Sequence, residues 1–371
     1  MKSQKQKVYV GMSGGVDSSV TAALLVEQGY DVTGVYMKNW SKDLPGFQCP
    51  WKEDYQDAKR VAVRLGIPFE VFDFEDEYFD KVVEYMLDGF KAGITPNPDI
   101  MCNQEIKFKL FYETAREKGA DYIATGHYAC VANHESEFRI NSELNMNSHI
   151  NGRLLMAKDD NKDQTYFLYR VSHEALARTL FPLGGFTKPE VRQMAKARGL
   201  ITANKKESMG ICFVGKVGIR EFLTQFVDKK YMQTGKIIDQ NGAVIGEHDG
   251  AIFYTIGQRH GLDVGGGLPF YVSGKDMKKN EVYVTSNLQD DSLWASEIRL
   301  TSLHWINEAP TQNKSYRVRT RHRAPLISCG FKDIAESTAT LLLEEKIRAL
   351  TPGQSAVIYD GDECIGGGII A

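Results

Sequence analysis

Two features of this chain have residue types and spacings suited to chemistry: a glycine-serine loop near residue 13 and two thiols at Cys102 and Cys212. The loop is Ser13-Gly14-Gly15-Val16-Asp17-Ser18, fed by the β-type run Val8-Tyr9-Val10 and followed by a helical pattern. Gly14 and Gly15 let the backbone turn tightly and approach a ligand, and the amides of a helix opening at Asp17 point at an anion placed there. Ser13, Ser18 and Ser19 add hydroxyl donors. The segment lacks the Lys-Ser/Thr ending of a Walker A loop and the third glycine of a dinucleotide fingerprint, so neither of those fits. The ligand it suits is pyrophosphate. The first thiol follows Thr95-Pro96-Asn97-Pro98-Asp99, a proline-stiffened loop presenting Asp99 and Cys102 just ahead of a helix. Helix amides there favour thiolate. The second lies in Ser208-Met209-Gly210-Ile211-Cys212-Phe213-Val214. Taken singly, each thiol also reads as a small buried hydrophobe.

The elements that must position these groups alternate. Helical patterns from about Ser18 to Gln28, Asp54 to Leu65 and Ile106 to Lys118 stop at Gly29, Gly66 and Gly119. Each is followed by a β-type run: Val32 to Met37, Phe69 to Phe72, and Tyr122 to Thr125. An acidic helical pattern spans about Asp76 to Phe90, and Thr187-Lys188-Pro189-Glu190 is a capping box opening a helix to about Arg198. This is the pattern of a doubly wound parallel sheet, whose ligands bind at the carboxyl ends of the strands. Ser13, Met37 and Gly126 are therefore expected to face one crevice. Residues 133 to 152 are polar and read as an exposed loop or hairpin insertion. Past about residue 205 the chain turns mainly β, with turn signals at Asn241-Gly242 and Gly361-Asp362.

At 371 residues two or three domains are expected. The division predicted is 1–205 for the α/β domain, 206–287 for a small central β-rich domain and 288–371 for a terminal β-barrel. A hydrophobic share of 42% with 25% charged residues suits a globular protein, and no stretch approaches a membrane span. A cytoplasmic location without membrane attachment is expected. The six cysteines form no CxxC pair, which argues against structural zinc and a secreted disulfide framework. A net charge of −3 means that nucleic-acid binding would need local basic patches. One candidate is Arg317-Val318-Arg319-Thr320-Arg321-His322-Arg323, whose four arginines at alternate positions would line one face of a strand and suit phosphates.

The loop resembles the PP-loop of the ATP pyrophosphatases, which cleave ATP between the α and β phosphates. Over essentially the whole chain the motifs resemble the tRNA-specific 2-thiouridylases. The matching blocks are Gly11 to Ser18, Asn97-Pro98-Asp99 with Cys102, Ala124-Thr125-Gly126-His127-Tyr128, Lys162 to Leu168, Gly210-Ile211-Cys212-Phe213, and Thr255-Ile256-Gly257-Gln258-Arg259. The resemblance implies an adenine-nucleotide α-hydrolase-like domain followed by two small β domains. It also implies replacement of O2 of the wobble uridine by sulfur in the tRNAs for Lys, Glu and Gln. ATP would lie on Gly11, Met12, Ser13, Gly14, Gly15, Val16, Asp17 and Ser18, with Met37 and Gly126 at the adenosine and Mg²⁺ offsetting the phosphate charge. Cys102 would be the nucleophile and Cys212 the persulfide carrier, joined transiently by a disulfide.

Asp17 and Asp99 are the remaining catalytic candidates, although Asp99 also suits an Asx turn after Pro98. Expected tRNA contacts are Asn97, Pro98, Asp99, Lys162, Asp163, Gln164, Arg321 and His322, the last standing where many relatives are expected to carry tyrosine. The sulfur donor would be a relay protein or a cysteine desulfurase, and the enzyme a monomer. Two rivals share parts of this pattern. Another PP-loop enzyme, an amidotransferase-type synthetase or a tRNA lysidine synthetase, would not need the thiols. A non-enzymatic tRNA-binding or redox protein would release no AMP.

Overall fold

The run Val8, Tyr9, Val10 is buried on both sides, which makes its strand central to a parallel sheet. In the computed structural model, which describes residues 5–45, 48–132, 152–206, 218–262, 264–265 and 269–371, that strand is β1 (Lys7–Gly11). It leads into helix α1 (Val16–Glu27), then β2 (Asp31–Lys38), α2 (Trp51–Leu65) and β3 (Phe69–Asp73). Strand β4 (Tyr122–Ala124) follows a long helical stretch, β5 (Cys130–Ala132) and β6 (Arg153–Leu155) form a hairpin, and β7 is Thr179–Leu180. The sheet order is β3-β2-β1-β4-β7 with every pairing parallel. The chain winds from β1 outward through β2 and β3, then returns to place β4 on the other side of β1. That reversal is the switch point at which such sheets hold ligands.

Each face of the sheet has its own core. Val8 and Val10 pack with Val20, Leu25, Val61 and Val191 on one side, while Tyr9, Val35 and Ile123 meet Val82, Met86, Ile106 and Phe111 on the other. The second core continues into the rest of the molecule through Phe222, Val357, Tyr359 and Cys364. The helix Ile219–Phe226 supplies Phe222 and Phe226, whose rings pack on Trp40 at 6.0 and 6.1 Å.

One sequence expectation needs correction in the first domain. The helix expected from about Ile106 starts at Pro98: Asn97 accepts the Ile100 amide and Pro98 sits where a missing N–H costs nothing. Its middle, Cys102–Leu110, is π-helical. Asp99 and Cys102 thus lie within a helix, one turn apart, rather than in a loop before it. The hairpin expected around residues 133 to 152 exists at its base, β5 pairing with β6, and residues 133–151 lie outside the described residues. That hairpin joins the C-terminal sheet, because β6 pairs with Glu363–Ile370 through Glu363↔Leu155 and Cys364↔Leu154.

The C-terminal sheet runs Trp294–Trp305, Thr338–Arg348, Ile327–Ile334, Tyr316–Arg319, Ser355–Asp360, Glu363–Ile370. Leu300↔Ile370 pairing closes these six antiparallel strands into a barrel. Ile298, Val318, Leu341 and Ile358 fill it. In chain order between the first domain and the barrel comes a four-stranded sheet of Gly235–Ile238, Val244–His248, Tyr271–Asp276 and Glu281–Thr285.

Candidate active site

The PP-loop connects β1 to α1. The Ser13 amide donates to Ser18 Oγ at 3.1 Å, the two serine hydroxyls are 3.2 Å apart, and Ser19 Oγ donates to the Gly15 carbonyl at 2.7 Å. Gly14 has φ +73°, and a Cβ there would stand 2.2 Å from the Asp54 carbonyl oxygen of α2, so the turn requires glycine. Gly15 caps α1 without any side-chain hydrogen bond, which leaves the first-turn amides to an incoming anion. The neighbouring strand ends close around this loop. A Cβ on Gly11 would lie 2.9 Å from Met37 Cε, and one on Gly126 2.8 Å from the Ser18 amide nitrogen. Met12 and Val16 are buried supports at 1% and 4% exposure.

Asp17 is the only carboxylate in the loop. Lys188 Nζ donates to both of its oxygens at 2.7 Å, and the Tyr128 hydroxyl donates to Oδ1 at 2.9 Å. With both oxygens taken, the loop's own side chains do not fit a Mg²⁺ ion, which prefers carboxylates together with substrate phosphates.

Asp99 and Cys102 open the long helix that returns to β4. Because that helix crosses from the carboxyl edge of the sheet to its amino edge, its start stands on the PP-loop side. Cys102 is 3% exposed. Burial raises the Asp99 carboxyl above its ordinary range, opposed by the positive charge of Lys107. His127 is buried with Nδ1 2.8 Å from Thr125 Oγ1, and burial followed by Lys107 holds it far below the usual histidine range, so it is neutral. The Asn103 amide donates to the Phe167 carbonyl at 2.9 Å, tying this helix to the Thr165–Leu168 helix. Cys212 and the block around it lie outside the described residues.

The expected tRNA contacts divide. The Asp159 carbonyl gathers the amides of Lys162 and Asp163, and Gln164 brackets Tyr128, its Oε1 accepting the Tyr128 amide at 2.9 Å and its own amide returning to the Tyr128 carbonyl. Asp163 is buried, with hydrogen bonds from Thr165 Oγ1 at 2.8 Å and Arg319 at 3.0 Å. In this structure its carboxylate joins loop to barrel rather than facing outward.

The row of four arginines on one strand face is not built. The strand Tyr316–Arg319 ends at Arg319, which is buried against Asp163. Arg321 turns to the Ala349 carbonyl at 2.8 Å and Thr351 Oγ1 at 2.6 Å, and Arg323, at φ +63°, donates to the Asn161 carbonyl at 2.9 Å. The His322 ring lies 4.6 Å from that of Phe167. Burial, with Arg323, Arg319 and Lys162 adding to it, pushes its pKa down to about 4.

The sequence matches the tRNA methyl transferase HUP domain family over residues 6–216, the tRNA methyl transferase PRC-barrel domain over residues 220–286 and the aminomethyltransferase β-barrel domain over residues 295–370. The tRNA-specific 2-thiouridylase MnmA of Bacillus thuringiensis (strain Al Hakam) is 46% identical over 366 residues, covering 98% of this chain and 94% of its own. That of Bacillus mycoides (strain KBAB4) is 46% identical over 369 residues, covering 99% and 95%. The chain belongs to the MnmA family of tRNA-specific 2-thiouridylases.

Within this MnmA-family chain burial disfavours the thiolate at the remaining described cysteines. Burial raises Cys49, Cys130 and Cys364, and brings Cys329 up to about 12. Lys188 is the site residue that sequence reasoning missed. The capping box placed its backbone, but nothing local reveals that its side chain reaches Asp17. No helix among the described residues is long and apolar enough to cross a membrane.

Proposed function

We propose that this chain thiolates the wobble uridine of the tRNAs for Lys, Glu and Gln, using ATP to activate O2 and a cysteine persulfide to supply sulfur. Full-length similarity to 2-thiouridylases supports the reaction class. The observation that carries the residue assignment is the uncapped PP-loop helix with the Asp99 and Cys102 turn on the same edge of the sheet. A uridine carbonyl oxygen leaves poorly, and adenylation makes it depart as AMP. O2 attacks the α-phosphorus, pyrophosphate leaves, and the N3 proton passes to a base. The raised pKa of Asp99 suits that role, since a base works best with a pKa near the working pH. The α1 amides hold the pyrophosphate end at no reorganisation cost. Met37 and Gly126 flank the adenosine.

Sulfur then attacks C2. The terminal sulfur of a Cys212 persulfide forms the C2–S bond as the C2–O bond to AMP breaks. Cys102 thiolate next attacks the Cys212 sulfur, releasing 2-thiouridine and leaving a Cys102–Cys212 disulfide. Attack by Cys102 before transfer would instead release hydrosulfide and leave the same disulfide. Either way two electrons from a reductant reopen it. Cys102 is enclosed, which shields the reacting sulfur from water and from wasteful oxidation. An unpaired anticodon base leaves its stack cheaply, and the aromatic faces of Phe167 and His322 suit the surroundings of such a loop. The proposed reaction suits a monomeric enzyme that meets tRNA in the cytoplasm and draws its sulfur from a relay protein or a cysteine desulfurase.

The test incubates the enzyme with ATP, Mg²⁺, a cysteine desulfurase with cysteine as the persulfide donor, reductant and unmodified glutamate tRNA, and reads 2-thiouridine by nucleoside mass spectrometry. Wild type forms the nucleoside, while Cys102→Ser and Cys212→Ser release AMP without it. AMP release with no thiolated nucleoside in any sample refutes the sulfur transfer assignment for this tRNA.

A further inference from the structure

Lys188 has no part in the chemistry above, yet its side chain ends at the phosphate loop. Its Nζ touches both Asp17 oxygens at 2.7 Å and stands 5.8 Å from the centre of the Tyr128 ring, whose hydroxyl donates to the same carboxylate. The residue is 7% exposed. It is also held from behind. Its backbone amide donates to Asp159 Oδ2 at 2.9 Å, and the Thr187–Glu190 capping box fixes the first turn of its helix, Lys188–Ala197. That helix follows β7 and so opens on the carboxyl edge of the sheet, as the PP-loop does.

Asp17 is the second residue of α1. A carboxylate in the first turn stabilises a free helix, because it complements the positive end of the dipole. The same carboxylate repels a triphosphate arriving at those amides. An enclosed ammonium shared by both oxygens cancels that charge and fixes the carboxylate in one orientation, with the Tyr128 hydroxyl and ring completing the enclosure.

We propose that Lys188 is a positioning residue of the ATP site, which neutralises Asp17 so that the first-turn amides of α1 receive the pyrophosphate without like-charge repulsion. This rests on the ATP reading given above. It accounts for a buried lysine whose backbone is anchored by a capping box, and for a carboxylate inside a phosphate loop that is not free to hold a cation.

Binding of a non-hydrolysable ATP analogue to the whole enzyme, by titration calorimetry, tests it. Lys188→Met weakens binding about tenfold or more, the scale of one uncompensated unit charge at a partly buried site. Lys188→Arg recovers most of the affinity. Asp17→Asn/Lys188→Met returns to within about threefold of wild type, because no carboxylate is left to repel the phosphates and the deficits cease to add. In pyrophosphate exchange the Lys188→Met defect resides in KM for ATP more than in the rate at saturation. Lys188→Gln, which keeps a hydrogen-bond donor to Asp17 but not the charge, reads the same loss of affinity if Lys188→Met fails to fold. Wild-type affinity in Lys188→Met, or a double variant as weak as the single, overturns the proposal. A wild type that binds no analogue removes the ATP reading itself, and the inference falls with it.

Discussion

Replacing Asp163 by Asn separates two roles that the sequence alone leaves merged, contact with tRNA and support of the fold. The Asp163 side chain is 0% exposed and that of Arg319 is 8%, with Nη1 and Oδ2 3.0 Å apart. The carboxylate also accepts the Ala157 amide at 3.2 Å and Thr165 Oγ1 at 2.8 Å, and Thr165 in turn meets Tyr359 of the barrel at 3.1 Å. Burial raises the Asp163 carboxyl despite these donors and Arg319, so desolvation outweighs the attraction. Asn in its place leaves an enclosed guanidinium facing an amide donor. The expected cost is about 3–5 kcal/mol, the usual range for orphaning one partner of a buried pair. At about 2–4 °C per kcal/mol for a domain of this size, melting falls by roughly 10 °C. Asp163→Asn/Arg319→Met removes the orphaned charge as well, and recovers about 2 kcal/mol of that loss. Scanning calorimetry on the free enzyme, paired with filter binding of tRNA, reads both roles. If Asp163→Asn melts with wild type while tRNA affinity collapses, the carboxylate meets tRNA and the burial argument is wrong.

Gly126→Ala places a Cβ 2.8 Å from the Ser18 nitrogen and 2.9 Å from the Asp17 carbonyl carbon, both backbone atoms that cannot yield. ATP affinity should drop about tenfold or more, as expected when a phosphate cradle shifts by a fraction of an ångström, and titration calorimetry with an ATP analogue checks it. The raised Asp99 pKa places an acid limb on adenylation, active when Asp99 is ionised and lost as pH falls through that raised value. Single-turnover AMP release in Asp99→Asn should be slow and lack the limb. A variant with the wild-type limb would clear Asp99 of the base role. His322 has its folded pKa depressed to about 4 from an ordinary 6.5. Its neutral packing therefore contributes stability in full above pH 6.5, and that contribution is lost as pH falls toward 4. Melting curves across that interval should show wild type losing ground to His322→Phe, which does not titrate.

The sequence by itself determined what depends on neighbours along the chain. Glycine stops, the Ser13 to Ser18 loop and the Thr187 capping box are local, because a few residues set each backbone conformation and its nearest hydrogen bonds. They sufficed for a doubly wound sheet, a glycine-serine turn into a helix at a strand end and a β-rich second half. They failed where a local signal had two readings. Pro98 punctuates a loop or opens a helix equally well, and Asn97 decided for the helix. Alternating arginines suit a strand, but the strand stops at Arg319 and the next residues turn.

Tertiary structure alone decided which distant side chains meet. Asp17 and Lys188 are 171 residues apart, Asp163 and Arg319 are 156, and the hairpin at Cys130 joins a barrel built from residues past 290. Charge and hydropathy patterns show that a lysine or an aspartate exists, not what it will face once the sheet and barrel close. The enclosed ammonium behind the PP-loop and the enclosed ion pair between loop and barrel arise only when chain folding removes water from both partners together.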